Sequence, residues 1–459
     1  MLSTKSYEKP ILIRIGNPLF TKHGASPQSV FPSRSTIENH LIEELSEKYG
    51  SPLFIFSEKQ IRTQFQRFKE AFDSRYPKVQ YSWSYKTNYL KGICALFHRE
   101  GAIAEVVSDF EYEKARALGV PGHDIIYNGP YKTNESLRRA VKEGARIHID
   151  HVDEIGELEE ISKELGVAAR VALRVNMNTG IFPQWTRFGL HLESGQAMKA
   201  IERLFHGKTL KLEGLHTHVG TFILDPRAYE KAATLLGRFM LEIEARFHTK
   251  LDYLDLGGGF PSKHHLKGVY QPPEIAVSPI EDYAECITNA LKATLGERDL
   301  PLLILESGRH MIDEAGTLIT SVVSQKLLPD GRRGYVLDAG VNLLYTSTWY
   351  KYRIELDGEE KTIPEPSVLF GPLCMNIDVV DEAIMLPRLA RGKRMILSPV
   401  GAYNVTQWMQ FIQYRPAVIL LRENGTVDLL RRRENLNSVE MDELLPADLG
   451  ILHAQQSIA

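Results

Sequence analysis

Residues 146–175 hold one complete period of the rhythm that sets the fold. Arg146-Ile147-His148-Ile149-Asp150 and Arg170-Val171-Ala172-Leu173-Arg174-Val175 are short runs rich in strand-forming residues. Between them, 152–165 places Val152, Ile155, Leu158, Ile161 and Leu165 three or four positions apart, a spacing that predicts a helix. Strand, helix and strand in this order form a parallel βα unit.

The rhythm continues in both directions. Strands are expected at 80–85, 102–107 and 124–127 before this stretch, and at 212–218, 251–256 and 302–306 after it. Helices are expected at 111–118, 134–143, 197–204, 227–247 and 280–294. Eight strands over about 250 residues is the length of a TIM-type (β/α)8 barrel. An open doubly wound sheet is the alternative, but no Gly-x-Gly-x-x-Gly follows its first strand.

After about residue 315, strand patterns at 317–326, 334–338, 352–355, 367–370, 394–397, 417–422 and 426–430 follow one another without helices. This is the signature of an all-β domain. The first 50 residues read as an extension, with an apolar run at 11–15, a Ser/Pro-rich loop at 26–35 and an amphipathic helix at 37–49. The expected partition is a barrel over 52–314 and a β-rich domain built from 1–51 and 315–459.

Composition narrows the partners. The 459 residues are 43 % hydrophobic and 25 % charged, with a formal net charge of −3. No excess of positive charge exists to hold a nucleic-acid backbone or an anionic membrane, so the expected partner is a small molecule. Three widely spaced cysteines, Cys94, Cys286 and Cys374, exclude a disulfide framework and a zinc ribbon. Neither a secretory h-region nor an apolar span of about 20 residues occurs near the start, and a reduced, cytoplasmic protein is expected.

In a barrel of this kind the active site gathers at the C-terminal ends of the strands. Four features fall there. Lys86 ends the aromatic run Tyr81-Ser82-Trp83-Ser84-Tyr85; partial desolvation would lower its pKa and make the amine a nucleophile, although lysine is common at exposed strand ends. His216 and His218, one residue apart on a strand, share a face. No third ligand cluster accompanies them, so no metal is expected, and they read as stacking or hydrogen-bonding imidazoles. Gly257, Gly258 and Gly259 follow a strand and can turn backbone amides toward a phosphate, or simply form a tight turn. Glu306 and Arg309 offer a carboxylate and a guanidinium three residues apart, for a protonated ring nitrogen and an anion, or for a plain ion pair. Together these groups match the needs of pyridoxal 5′-phosphate.

With these motifs in this order, 52–433 resembles the fold-type III pyridoxal-phosphate decarboxylases, which include the diaminopimelate, ornithine and arginine decarboxylases and have a barrel related to that of alanine racemase. The resemblance implies that Lys86 binds the cofactor covalently, that Glu105 is the acidic residue near it and that His218 stacks on the pyridine face. It also implies that Thr221, Gly257, Gly258 and Gly259 bind phosphate, that Glu306 bonds the ring nitrogen, and that Arg309 and the tyrosine of Gly401-Ala402-Tyr403 lie near the phosphate. Arg174 counts among the cofactor-binding positions, and Arg309, Tyr350, Met375 and Tyr403 among the substrate-binding ones. The family's Glu-Pro-Gly-Arg is Glu306-Ser307-Gly308-Arg309 here. Gly371-Pro372-Leu373-Cys374 resembles the segment that carries a catalytic cysteine into a neighbouring subunit's site, which implies a homodimer with shared active sites.

The implied reaction is loss of the Cα carboxylate of an amino acid as carbon dioxide, with the pyridinium as electron sink. Related racemases place an arginine against the ring nitrogen; Glu306 favours decarboxylation, with racemisation or epimerisation as the alternative. Two positions depart from the family. Met375 stands where an acidic residue holds the substrate's distal ammonium, and Thr346 stands where diaminopimelate decarboxylases have an arginine for the distal carboxylate. An unpaired charge in a closed site costs several kcal/mol. The expected substrate is therefore an amino acid with a conjugated distal end, joined to citrate or to a carrier protein, as in siderophore or other secondary-metabolite assembly. Trp349, Trp408 and Met409 are candidates to line a wider pocket.

Overall fold

The computed structural model describes residues 31–449. The apolar run expected at 11–15 and the first half of the 26–35 loop lie outside these residues. The chain runs β1 (Leu53–Ser57), α1 (Glu58–Asp73), β2 (Val79–Ser84), α2 (Lys91–Arg99), β3 (Ile103–Val106), α3 (Asp109–Ala117), β4 (Ile125–Tyr127) and α4 (Asn134–Lys142). It continues through β5 (Arg146–Ile149), α5 (Val152–Leu165), β6 (Arg170–Asn176), α6 (Gln196–Gly207), β7 (Lys211–His216), α7 (Arg227–Phe247), β8 (Tyr253–Asp255), α8 (Ile280–Leu295) and β9 (Leu302–Ser307). Strands β2 to β9 pair in parallel, each with the next, and β9 pairs back onto β2 through Leu303↔Val79, which closes the expected eight-stranded barrel.

Local signals place the helices. Ser57, Ser108 and Thr133 each accept a hydrogen bond from a backbone N–H in the first turn of α1, α3 and α4. Gly166 ends α5 in the left-handed conformation, at φ 63°. The strands are apolar because both their faces are covered: Leu303, Ile304 and Leu305 of β9 are all fully buried.

The second unit is a mixed sheet with β10 (Gly316–Leu327), β11 (Arg333–Leu337), β12 (Arg353–Leu356), β13 (Glu365–Phe370), β14 (Val379–Leu386), β15 (Arg394–Ser398), β16 (Ala417–Leu421) and β17 (Val427–Arg431). Its main order is β14-β13-β11-β10-β1-β16-β17, with β15 bridging β10 and β12. Thus β1, inside the 52–314 segment expected to be barrel, inserts between β10 and β16. Its run Leu53-Phe54-Ile55-Phe56 lacks alternation because both faces are buried: Phe54 and Phe56 join the core shared with the barrel, while Leu53 and Ile55 pack with Ile42 and Leu45.

Other differences are local. The helix expected at 37–49 begins only at Ile42, because Glu38 and Asn39 take positive φ values of 47° and 70° and turn Thr36–Ile37 back onto His40–Leu41. Strand β14 went unanticipated because it is a half-exposed edge of mixed polarity. Among the described residues, no helix is long and apolar enough to cross a membrane.

Candidate active site

A cavity of about 640 Å³ opens at the C-terminal ends of the barrel strands, roofed by loops of the mixed sheet. Lys86 enters it from the turn after β2, Glu105 from β3, Arg174 from β6, His216 and His218 from the end of β7, Gly259 from beyond β8 and Glu306 from β9. The sheet supplies Thr346, Tyr350 and Tyr403. Thr221 and Arg309 complete the expected residues on the wall.

Lys86 Nζ donates to Glu105 Oε2, and Glu105 is fully buried. Desolvation acts to lower the pKa of Lys86, as anticipated, but Glu105, Glu306 and Tyr403 outweigh it and leave the amine above its ordinary value. The lowered pKa expected from the aromatic strand alone is therefore corrected by two carboxylates that lie far away in sequence.

Asn128, on the turn after β4, ties these carboxylates together. Its Nδ2 donates to Glu105 Oε1 at 3.0 Å and to Glu306 Oε1 at 2.6 Å. Sequence reasoning passed over it, although Asn128-Gly129-Pro130 is a turn signal at a barrel strand end. Below Glu306 lie two buried imidazoles, with His216 Nε2 3.5 Å from Oε2 and His148 Nδ1 4.0 Å from Oε1. Their ligand atoms and that of Glu306 lie within 4.8 Å of one another. Burial, together with neighbouring positive groups, depresses both imidazoles and keeps them neutral.

His218 lies beyond the strand. Its Nδ1 accepts the Gly258 N–H at 3.1 Å, and burial, Arg174 and Lys86 push its pKa down to about 3, so the ring is neutral. Arg174 donates to Asp150 Oδ1 at 2.9 Å, with its guanidinium 4.6 Å above the Phe188 ring.

The three glycines divide their work. Gly257 N donates to Asp255 Oδ1 at 2.8 Å and Gly258 N to His218, so two of the three amides expected to face a phosphate are already engaged; Gly259 lies on the cavity wall. Cβ atoms are excluded here, because one on Gly258 would lie 1.9 Å from the Glu306 carbonyl oxygen.

Arg309 is only 8 % exposed, and its Nε finds no hydrogen-bond partner among the described residues. Its guanidinium is 4.6 Å from the Tyr350 ring and 4.9 Å from that of Tyr403. Thr346 is buried, with Oγ1 2.8 Å from Tyr352 OH and 3.0 Å from Asn404 Oδ1.

Not every expected residue converges. Cys374 is exposed, and neither it nor Met375 lies on the cavity wall of this chain. Trp349 does line the cavity, whereas Trp408 packs 5.3 Å from Phe54 and, like Met409, stays off the wall. Phe182, Trp185 and Phe188, from the loop after β6, form an aromatic side of the mouth that sequence reasoning did not assign.

A lysine amine, buried carboxylates and an arginine around one cavity at the mouth of a β/α barrel define an enzyme that holds an anionic carbonyl cofactor. Comparison with known proteins agrees. The family model described as "Pyridoxal-dependent decarboxylase, pyridoxal binding domain" matches residues 58–313. The diaminopimelate decarboxylase of Methanocaldococcus jannaschii is 29 % identical over 433 residues, 91 % of this chain and 96 % of that one. The Bacillus subtilis diaminopimelate decarboxylase is 29 % identical over 429 residues, 89 % and 94 % of the two chains. The crystal structure of the M. jannaschii enzyme superposes with a TM-score of 0.83 at 28 % identity, covering 92 % of this chain and 98 % of that one. A lysine/ornithine decarboxylase from Vibrio vulnificus complexed with putrescine gives 0.72 at 25 % identity, covering 84 % and 98 %.

The chain belongs to the pyridoxal-dependent decarboxylases, and its barrel is their pyridoxal-binding domain. It is a carboxy-lyase that uses pyridoxal phosphate. The residues present fit this cofactor: an amine for the aldehyde, a buried carboxylate for the ring nitrogen and, in Arg309 Nε, a buried donor without a partner among the described residues.

Proposed function

We propose that this decarboxylase acts at the Cα of an amino acid whose distal end is conjugated, not a free ammonium. Bound pyridoxal phosphate supplies the sink for the electrons left when the carboxylate departs. In this reading Lys86 holds the cofactor, Glu306 keeps a positive charge on the ring nitrogen and His218 lies against the ring. Arg309, Thr221, Gly259 and Tyr403 receive the phosphate, and Arg174 completes the wall.

Thr346 carries the substrate assignment. It occupies the position where the resemblance would place an arginine for a distal carboxylate, while Met375 replaces the acidic residue for a distal ammonium, and the Thr346 hydroxyl is already engaged by Tyr352 and Asn404. The carboxylates on the wall, Glu105 and Glu306, are committed to Lys86 and Asn128. Among the described residues of this chain no further carboxylate on the wall is left to neutralise a free distal ammonium, while Trp185, Phe182 and Trp349 offer apolar area to a larger group. Amino acids joined to citrate or to a carrier protein, as in siderophore or other secondary-metabolite assembly, meet this requirement.

Carbon dioxide release measured over free diaminopimelate, lysine and ornithine and over their citryl and carrier-bound conjugates tests the assignment. Conjugates are expected to turn over at least about tenfold better in kcat/KM, a difference of about 1.4 kcal/mol. Robust turnover of free diaminopimelate would defeat it.

The exposed position of Cys374 supports a second part of the reading, a homodimer in which this thiol serves the neighbouring site and returns a proton to Cα.

A further inference from the structure

Arg309, Tyr350 and Tyr403 reach the cavity from three separate segments, yet all three depend on one carboxylate that is not on the wall. Asp313 is fully buried. Its Oδ2 accepts from Ser262 Oγ at 2.6 Å and from Arg309 Nη1 at 3.4 Å, and lies 3.2 Å from His264 Nδ1. Its Oδ1 accepts the Ala402 N–H at 3.1 Å.

Each arm ends on a cavity residue. The first is direct, since Asp313 is the only anionic partner of the Arg309 guanidinium among the described residues. The second runs through His264, whose ring stacks on Tyr350 with centroids 4.5 Å apart and planes at 25°. The third holds the backbone before Tyr403, a residue at φ 64°, where a side chain is strained. The Ala402 amide to Oδ1, the Gly401 amide to the Asp313 carbonyl at 3.0 Å and the Tyr403 amide to the Thr87 carbonyl at 2.9 Å keep that conformation in place.

We propose that Asp313 is a positioning residue that aims Arg309, Tyr350 and Tyr403 at the phosphate end of the cofactor. Burial acts to raise its carboxyl, but His264, Arg309 and Ser262 hold it down to about 2, so the arms rest on a carboxylate at any working pH. The proposal rests on the reading of Arg309 and Tyr403 as phosphate-binding residues.

The test compares the affinity of the apoprotein for pyridoxal phosphate and for pyridoxal, which lacks the phosphate, by fluorescence titration. Asp313→Asn keeps the shape but removes the charge. It should weaken pyridoxal phosphate by about tenfold or more and leave pyridoxal within about twofold. Equal weakening of both ligands would mark a general packing role and overturn the proposal. Ser262→Ala, which removes one support of the carboxylate, should give a smaller loss with the same selectivity, and it decides alone if Asp313→Asn does not fold. An unchanged ratio of the two affinities in that variant also overturns the proposal. Arg309→Lys separates the two readings. If it leaves phosphate selectivity intact, the assignment of Arg309 fails; if it abolishes selectivity while the other variants do not, the role of Asp313 fails.

Discussion

Lys86 and His218 show opposite outcomes of burial in one cavity. Desolvation favours the neutral form of both. At Lys86 it is outweighed by Glu105 and Glu306, which favour the ammonium; at His218 it is reinforced by Arg174 and Lys86, which leave the imidazole neutral. A nucleophilic amine must shed a proton, and Nζ directs its hydrogen bond at Glu105. Replacing Lys86 with Ala should abolish all borohydride-trappable cofactor. Mass spectrometry of the reduced protein checks this, and trapped cofactor in the variant would sink the assignment. The lysine was legible from its place at a strand end. Its protonation was not, because Glu105 lies 19 and Glu306 220 positions further on.

Among the elements, the loop after β8 bears most on the site. Its glycines are needed for close approach more than for exposing amides. Gly257 sits at φ 64°, and a Cβ on Gly258 would collide with the backbone of the segment that presents Glu306. Gly258→Ala should cost about 3 kcal/mol and lower cofactor occupancy in the purified protein; thermal melts and cofactor absorbance report the two effects. An unchanged melting temperature would show that the loop can shift, against its tight packing here. The glycine run was readable as a turn with anion-binding potential. The bond from the Gly257 amide to Asp255 is local, two residues apart, whereas the capture of the Gly258 amide by His218 followed only when the ends of β7 and β8 were brought side by side.

For the whole molecule, the mixed sheet takes a strand from before the barrel and returns Thr346, Tyr350 and Tyr403 to its mouth, so the cavity belongs to neither unit alone. The exposed Cys374 leads to the proposed sharing of sites between two copies. Mixing Lys86→Ala chains with Cys374→Ala chains should restore about a quarter of wild-type activity at random pairing, because one site of each mixed pair is then intact. No recovery would place the cysteine outside the neighbouring site. By itself the sequence determined the barrel and the family, and it put Lys86, Glu306 and Arg309, the proposed cofactor residues, at the ends of barrel strands. Buried parallel strands must be continuous apolar runs, and the chemistry of this cofactor needs particular residue types at their ends. Tertiary structure alone decided the placement of β1 and the parts played by Asn128, His148, His264 and Asp313. An apolar run buried on both faces shows no preferred partner, and single polar residues in loops carry no periodicity; closure of the barrel and docking of the sheet bring them together.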